Sequence, residues 1–228
     1  MSATRTFPTP IPDRMAALPV NADGYPVPWF VAWLDADGNA SERGKGSPDF
    51  RVIYPGAIRT AVRNRTCWLC GEALGAFTAF VIGPMCAINR VSSEPGSHLE
   101  CANFAARACP FLANPNRRRR TNDLPEGHSS AAGCPIQRNP GVALVWSTRR
   151  FQVFSPDGRG LLFRLGDPER VYWWAEGREA TRAEVLASVD SGYPLLLSEA
   201  QQGGADDVAV LERYRTQALT LLPAEVRA

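Results

Sequence analysis

Lysine and histidine are scarce in this chain of 228 residues. Lys45 is the only lysine, so arginine supplies nearly all of the basic charge, and the two histidines are His98 and His128. Histidine is the side chain that most often transfers protons in enzymes. A cysteine nucleophile that needs a histidine base would therefore have to use one of these two residues, which restricts the catalytic arrangements open to the chain.

Long hydrophobic runs are also missing. No stretch approaches the roughly 18 consecutive apolar residues of a membrane span, and the N-terminus, M-S-A-T-R-T-F-P-T-P-I-P, lacks the apolar core of a signal peptide. These absences predict a cytoplasmic protein with no membrane partner. In a reducing compartment the six cysteines are expected to be metal ligands or buried thiols rather than disulfides.

The common enzyme signatures are absent too. The sequence contains no G-x-S-x-G, no G-x-x-x-x-G-K-[ST] and no dinucleotide fingerprint. The acidic residues of the C-terminal half show no pairing that would mark a general acid and base. The sequence therefore favours a protein that is not an enzyme and implies no small-molecule substrate, and an enzyme of unrecognised type is kept as a third alternative.

What the sequence does contain is a metal-ligand pattern. Cys67 and Cys70 are followed by Gly71, the spacing at which a tight turn aims two thiolates at one ion. His98 and Cys101 are three residues apart at the predicted start of a helix, so they share a face. Two ligands on a turn and two on a helix are typical of a structural Zn²⁺ site.

Other cysteines compete for these ligand positions. Cys86 or Cys109 could replace His98, although Cys109 lies about 12 Å from Cys101 along an unbroken helix, too far to share one ion. Cys134 could pair with Cys109 in a second site or a disulfide, but two further ligands for such a site are lacking. Structural thiols without any metal are the last alternative.

The residues between the two ligand pairs predict a hairpin. A-F-T-A-F-V-I reads as a strand, Gly83-Pro84 as a turn and M-C-A-I-N-R-V as the returning strand, after which Ser97 is expected to cap a helix that Pro110 ends. Knuckle, hairpin and helix together resemble a treble-clef zinc finger over residues 67–112. The resemblance implies a metal that stabilises the fold.

A looser resemblance extends beyond the finger. C-W-L-C-G, F-V-I-G-P-M-C-A-I-N-R, H-L-E-C-A, A-C-P-F-L and the later W-W-A-E-G-R-E-A-T-R-A-E-V are similar to strings in an uncharacterised group of phage, prophage and bacterial proteins. This resemblance implies a mobile-element context, with host cytoplasm as the compartment if the protein is phage-encoded, and no activity.

A catalytic metal is disfavoured by the order of the motifs. His98-Leu99-Glu100 matches the H-x-E half of a zinc deaminase, but that class places its P-C-x-x-C after the H-x-E, whereas the C-x-x-C here precedes it. A fourth protein ligand would also close the open position that catalysis requires. A nuclease of the HNH type needs a histidine within the hairpin, where this chain has none.

The pattern of the whole chain predicts an α+β fold in three parts. Residues 1–50 are a proline-rich extended arm and the short apolar run W-F-V-A-W-L, which is a strand or an anchor onto the core. Residues 51–135 are the zinc module, led by a helix over 51–66 and followed by a basic loop. Residues 136–228 are a small antiparallel unit of four strands (V-A-L-V-W, F-Q-V-F, L-L-F-R-L, V-Y-W-W-A) and two helices, the first with Thr181 and Glu184 in capping-box spacing.

Basic charge is concentrated in the middle of the chain. The net charge is only +2, yet residues 51–120 carry ten arginines against three glutamates, a local charge of +7. Arg59 and Arg63 lie one helical turn apart, and a second group is formed by Arg117, Arg118, Arg119 and Arg120. Arginine binds phosphates bidentately, so these groups could follow a nucleic-acid backbone, although a solvated charged face is the simpler alternative.

These patterns lead to one functional expectation and one alternative. The expectation is a binding protein with structural zinc that engages nucleic acid, DNA or RNA, through its arginines. The alternative is a protein-interaction or regulatory protein that docks onto its partner through the N-terminal arm and an exposed tryptophan. Trp173 and Trp174 face opposite sides of a predicted strand, and one of them is either core under a helix or that exposed anchor.

Overall fold

A computed structural model describes residues 5–116, 139–156, 158 and 160–225. In these residues the helices are α1 (Asp13–Ala16), α2 (Ala57–Asn64), α3 (Pro84–Asn89), α4 (Leu99–Ala108), α5 (Arg182–Gly203) and α6 (Ala205–Leu219). The strands are β1 (Val31–Leu34), β2 (Ala40–Ser41), β3 (Ser47–Ile53), β4 (Thr78–Ile82), β5 (Val91–Ser92), β6 (Ala143–Thr148), β7 (Phe151–Phe154), β8 (Leu162–Leu165), β9 (Arg170–Ala175) and β10 (Arg178–Glu179). The fold is mixed α+β with antiparallel sheets.

A four-stranded sheet in the order β10-β9-β6-β4 forms the centre of the molecule. Its strands are antiparallel, with Phe80 opposite Trp146 and Val145 opposite Tyr172. Every residue of β6 is buried, as expected for a central strand that is covered on both faces. The four strand-like runs predicted after residue 140 are confirmed as strands, but β7 and β8 belong to a separate sheet with β5.

Helices cover both faces of the central sheet. On one face α4 places Ala102 and Ala106 against Ala79, Val145 and Trp174. The other face carries the largest core, to which α3, α5, α6 and β8 contribute; its fully buried side chains include Phe80, Ile88, Leu144, Trp146, Phe163 and Val185. The helix α4, which carries Cys101, is therefore packed against the sheet rather than projecting from it.

The predicted returning strand of the hairpin is wrong. Residues 84–89 form α3, with Gly83 as the N-cap and Pro84 in the first turn, where its missing N–H costs nothing. Pro84, Ala87 and Ile88 are its buried residues, which is helical spacing. β4 pairs with β6 instead, so the described residues contain a Cys/His cluster and a following helix without the hairpin of a treble clef.

The predicted helices are present with shifted ends. α2 is shorter than the predicted 51–66 because β3 continues to Ile53. α4 starts where expected, but its N-cap is His98 without a side-chain bond, and Ser97 instead pairs with Ala79 of β4. The predicted capping box of α5 is confirmed: Thr181 and Glu184 each accept a hydrogen bond from the other's backbone N–H.

The predicted domain boundary at residues 135/136 lies between two strands that pair with each other, β4 and β6. The division of the chain into three parts stays a prediction. The N-terminal part contains its own three-stranded sheet, in the order β2-β1-β3, and confirms Val31–Leu34 as a strand.

Candidate metal centre

A tight turn presents the first two cysteines. Thr66 and Ala73 form an antiparallel bridge, and the Leu74 N–H donates to the carbonyl of Arg65 at 2.8 Å. Within this hairpin the Cys67 N–H donates to the carbonyl of Glu72 at 2.7 Å. The turn is therefore closed by backbone bonds on both sides of the two thiols, which fixes the direction in which they point.

Glycine is required at position 71 of this turn. Its φ of +83° lies in the left-handed region, and a Cβ there would overlap the indole ring of Trp29. The neighbouring Gly75 has open space around its Cα and no left-handed φ. A side chain would therefore be strained at position 71 and accommodated at position 75.

We expect Gly71→Ala to destabilise the protein by about 2 kcal/mol or more. Left-handed backbone costs an alanine roughly 1–2 kcal/mol, and displacement of Trp29 adds to it. Urea denaturation of the metal-loaded protein measures the loss, with Gly75→Ala as the matched control, expected to change stability by no more than about 0.5 kcal/mol. Equal effects of the two substitutions would contradict the assigned geometry.

The loop that precedes the second pair of candidate ligands is hydrogen-bonded to the central sheet. Ala79 and Ser97 exchange two backbone hydrogen bonds, of 2.8 and 2.7 Å, directly before His98. The backbone N–H of Trp68 donates to the carbonyl of Gly96 at 3.1 Å, which connects this loop to the cysteine turn. Because α4 begins at Leu99, Cys101 lies in its first turn beside His98.

The four side chains converge on one point. The sulfurs of Cys67, Cys70 and Cys101 and a ring nitrogen of His98 all lie within 4.8 Å of one another. The Sγ of Cys70 is 3.3 Å from Nδ1 of His98. The three cysteines are buried and the histidine is half-buried, so this group could hold a metal ion out of contact with bulk water.

Hydrogen bonds around the cluster orient its ligands. Nε2 of His98 lies 3.0 Å from the carbonyl of Ala73, so Nε2–H is the donor and the lone pair of Nδ1 faces the thiols. The Sγ of Cys67 accepts the backbone N–H groups of Cys70 and His98, each at 3.4 Å. Partners of this kind fix the tautomer and stabilise a thiolate, as in protein metal sites.

The three thiols differ in acidity. The hydrogen bond from the thiol of Cys101, followed by the backbone N–H donors, lowers the pKa of Cys67 to about 4. Burial raises the pKa of Cys70 to about 11. The hydrogen bond that Cys101 donates to Cys67, together with burial, raises its own pKa. A metal ion must therefore displace protons from Cys70 and Cys101, so affinity is expected to fall as the pH falls.

The sequence did not reveal that the N-terminal segment packs onto this centre. Met15 is buried with Cys67, Cys70 and Cys101, and Phe7 lies edge-on to Phe104 of α4 at 5.3 Å. The predicted extended arm is thus a packed segment containing the short α1. A signal was present, since Phe7, Ile11 and Met15 recur every four residues between the prolines.

An ion-pair bridge closes this contact. Arg14 pairs with Glu72 of the cysteine turn and, through Nε at 3.1 Å, with Glu100 in the first turn of α4. One arginine of the arm thus links the two segments that carry the ligands. All three side chains are about half exposed, so the bridge adds little stability by itself.

The remaining cysteines lie apart from the cluster. Cys86 is on α3 and Cys109 directly follows α4, and neither belongs to the group of residues that could share an ion within the described part of the chain. Burial raises the pKa of the Cys109 thiol. Cys134 lies outside the described residues.

Of the two predicted basic groups, the structure describes only the one on α2. Arg59 and Arg63 are exposed on α2, and Arg117, Arg118, Arg119 and Arg120 lie outside the described residues. Two further arginines of the middle segment have internal partners instead. Arg107 lies 4.7 Å from the ring of Trp174 and donates to the carbonyls of Pro8 and Gly177, while Arg90 pairs with Asp167 at 2.8 Å.

Both tryptophans of β9 are buried. Trp173 packs in the largest core and donates to the carbonyl of Leu221 at 2.8 Å, and Trp174 lies under α4 and donates to Asn103 at 2.9 Å. The opposite facing of the pair is confirmed, with the second ring under a helix rather than exposed.

Among the described residues, no helix combines the length and the apolarity needed to cross a membrane. Comparison of the chain with known proteins finds no match among protein-family models, curated proteins or solved structures.

Proposed function

We propose that this chain is a zinc-stabilised binding protein, not an enzyme, that engages nucleic acid through exposed arginines of α2. The observation that carries the proposal is the position of Arg59 and Arg63. Both are exposed on a helix that leads directly into the cysteine turn, so a metal-fixed element would hold them in a constant orientation.

The ligand chemistry supports zinc as the ion. Three sulfurs and one imidazole nitrogen are soft and borderline donors, which suit Zn²⁺ and disfavour Mg²⁺ or Ca²⁺. Mutual separations of at most 4.8 Å are compatible with a tetrahedral set at the usual Zn–S and Zn–N bond lengths. Zinc in such a site would link the turn at Cys67 to the start of α4.

The same chemistry supports a structural role for the ion. Four protein ligands fill a tetrahedral site, whereas catalytic zinc usually keeps one position for water or substrate. With Nδ1 bound to the ion and Nε2–H donating to the carbonyl of Ala73, neither nitrogen of His98 would be left to transfer protons. His98 is the only histidine in the described part of the chain.

The charge of the α2 surface supports a polyanionic partner. Ala57 and Ala61 are the buried residues of the helix, and its arginines lie on the opposite side. Arg59, Arg63 and Arg65 make no ion pair with any carboxylate among the residues described. Arg63 and Arg65 each donate one hydrogen bond to a neutral acceptor, Asn64 and the carbonyl of Gly75, so N–H groups remain on each guanidinium to bind phosphate oxygens.

The protein-binding alternative has less support from the described residues. Its two expected anchors were the arm and an exposed tryptophan of β9. The arm packs on the metal cluster through Phe7 and Met15, and both tryptophans are buried. These groups are committed to the protein's own interior.

We expect the double substitution Arg59→Ser and Arg63→Ser to weaken nucleic-acid binding and to reduce its salt dependence. If each arginine neutralises one phosphate, the slope of log K against log salt falls by about 0.7–0.9 per residue. Fluorescence anisotropy with labelled DNA across a salt series measures both quantities.

The control is Arg164→Ser with Arg213→Ser, which removes the same charge from two other exposed positions, on β8 and α6. It should leave the slope unchanged. Binding that is insensitive to the α2 pair, or equally sensitive to the control pair, would contradict the assignment of this surface.

A further inference from the structure

An aromatic side chain is exposed beside the cysteine turn. Phe77 directly precedes β4, has 42% of its surface exposed and belongs to none of the hydrophobic clusters. Among the described residues no other aromatic ring contacts it. The ring is therefore not explained by core packing.

A basic side chain is positioned over this ring. The guanidinium carbon of Arg149 lies 4.3 Å from the ring centroid of Phe77. The pairing of Thr78 with Thr148 brings the two residues together at the end of the central sheet. Glu169 pairs with Arg149 at 3.3 Å, which orients the guanidinium before any ligand arrives.

The α2 surface is connected to this pair by direct contacts. Arg65 follows α2 and donates to the carbonyl of Gly75 at 3.4 Å, two residues before Phe77. The hairpin that bridges Thr66 and Ala73 holds the end of α2 against the segment that leads to Phe77. Arg65 is thus held beside the segment that leads to Phe77, and Arg149 lies over the ring itself.

We propose that Arg65, Phe77 and Arg149 bind single-stranded nucleic acid, with a base stacked on the face of Phe77 opposite Arg149 and phosphates held by the two arginines. The proposal rests on the nucleic-acid binding proposed above and specifies the form of the ligand. A base can stack on a protein ring only if it is unpaired, and base–aromatic stacking beside a basic track is how single strands are bound without sequence preference.

Other exposed aromatic residues provide a comparison. Phe50 and Tyr54 are 37% and 42% exposed. Neither has an arginine over its ring among the described residues. Exposure alone therefore does not distinguish Phe77, whereas its arginine neighbours do.

The test compares two probes: a labelled oligothymidylate of about 15 nucleotides, within the length that one stacking site occupies, and a duplex of the same length. Phe77→Ala should weaken binding of the single strand about tenfold and leave duplex binding unchanged. Phe77→Trp should retain single-strand binding, and Phe50→Ala serves as the exposed-aromatic control. Circular dichroism and metal content confirm that each variant is folded.

The outcomes separate this proposal from the one on which it rests. If Arg59→Ser with Arg63→Ser weakens binding but Phe77→Ala does not, nucleic-acid binding stands and the stacking site is wrong. A preference of the wild type for duplex, or an equal loss in Phe50→Ala, also overturns the stacking site. If the wild type binds neither probe at low salt, both proposals fail.

Discussion

Cys101→Ser is expected to abolish metal binding and to unfold the segment between the cysteine turn and α4. A structural zinc site contributes apparent binding free energies of about 10–16 kcal/mol in zinc-finger peptides, against a total stability of about 5–15 kcal/mol for a typical domain. A serine hydroxyl is a poor replacement for a thiolate ligand, and at this position it would be fully buried.

Metal content after purification under reducing conditions without chelator measures the loss of metal binding. The wild type should contain about one zinc per chain, and Cys101→Ser and His98→Ala should contain little or none. Thermal denaturation measures the second effect. Addition of a strong chelator to the wild type should reproduce the thermal profile of the ligand variants, since it removes the same ion.

Cys109→Ser is the matched control for this experiment. Cys109 directly follows the same helix and is also partly buried, but it does not belong to the ligand group. It should therefore retain the metal and lose only modest stability. Loss of metal from Cys109→Ser, or a full metal complement in Cys101→Ser, would contradict the assigned ligand set, and a second zinc per chain would require ligands outside the described residues.

Trp146→Ala is expected to cause the largest loss of stability away from the metal centre, about 3–5 kcal/mol. Trp146 is fully buried on the central strand β6, and its Nε1–H donates to the carbonyl of Gly166 at 3.0 Å. The substitution leaves a cavity in the largest core and removes the partner of that carbonyl. For a chain of this size the melting temperature should fall by about 6–20 °C.

The same variant tests how the parts of the chain are coupled. β6 pairs with β4, and Ala79 of β4 holds Ser97 directly before His98. We therefore expect a single unfolding transition and weaker metal retention on heating in Trp146→Ala, with a smaller effect in Trp146→Phe. Two separate transitions, with the metal site intact through the first, would show that the C-terminal part unfolds independently.

Short-range chemistry explains what could be predicted from the sequence. Cys67 and Cys70 lie in one turn, and His98 and Cys101 lie at the start of one helix. The geometry of each pair is therefore determined by residues that are close in sequence. Only the proximity of the two pairs in space had to be inferred from ligand chemistry. The capping box of α5 was predictable for the same reason, because Thr181 and Glu184 are three residues apart and each accepts the backbone N–H of the other.

The failures involve segments whose structure depends on distant partners. The run M-C-A-I-N-R is short and apolar, and such a run fits a buried strand or a buried helix equally well. The outcome depends on distant residues: β4 pairs with β6, more than fifty residues later in the chain, and the run packs as a helix against the core that this pairing builds. Residues 84–89 are then free to form α3 over the sheet.

By itself, the sequence determined which four residues form the Cys/His cluster that could hold a metal ion, the nature of most strands and helices, and the excess of arginine in the middle of the chain. Only the tertiary structure decided that the proline-rich arm packs on the Cys/His cluster, that Trp174 lies under α4, and that Phe77 meets Arg149 at the end of the sheet. The physical reason is the distance along the chain over which each feature is determined. Turns, caps and helix faces are fixed by neighbouring residues, whereas strand partners and covered surfaces are selected by the burial available in the whole molecule.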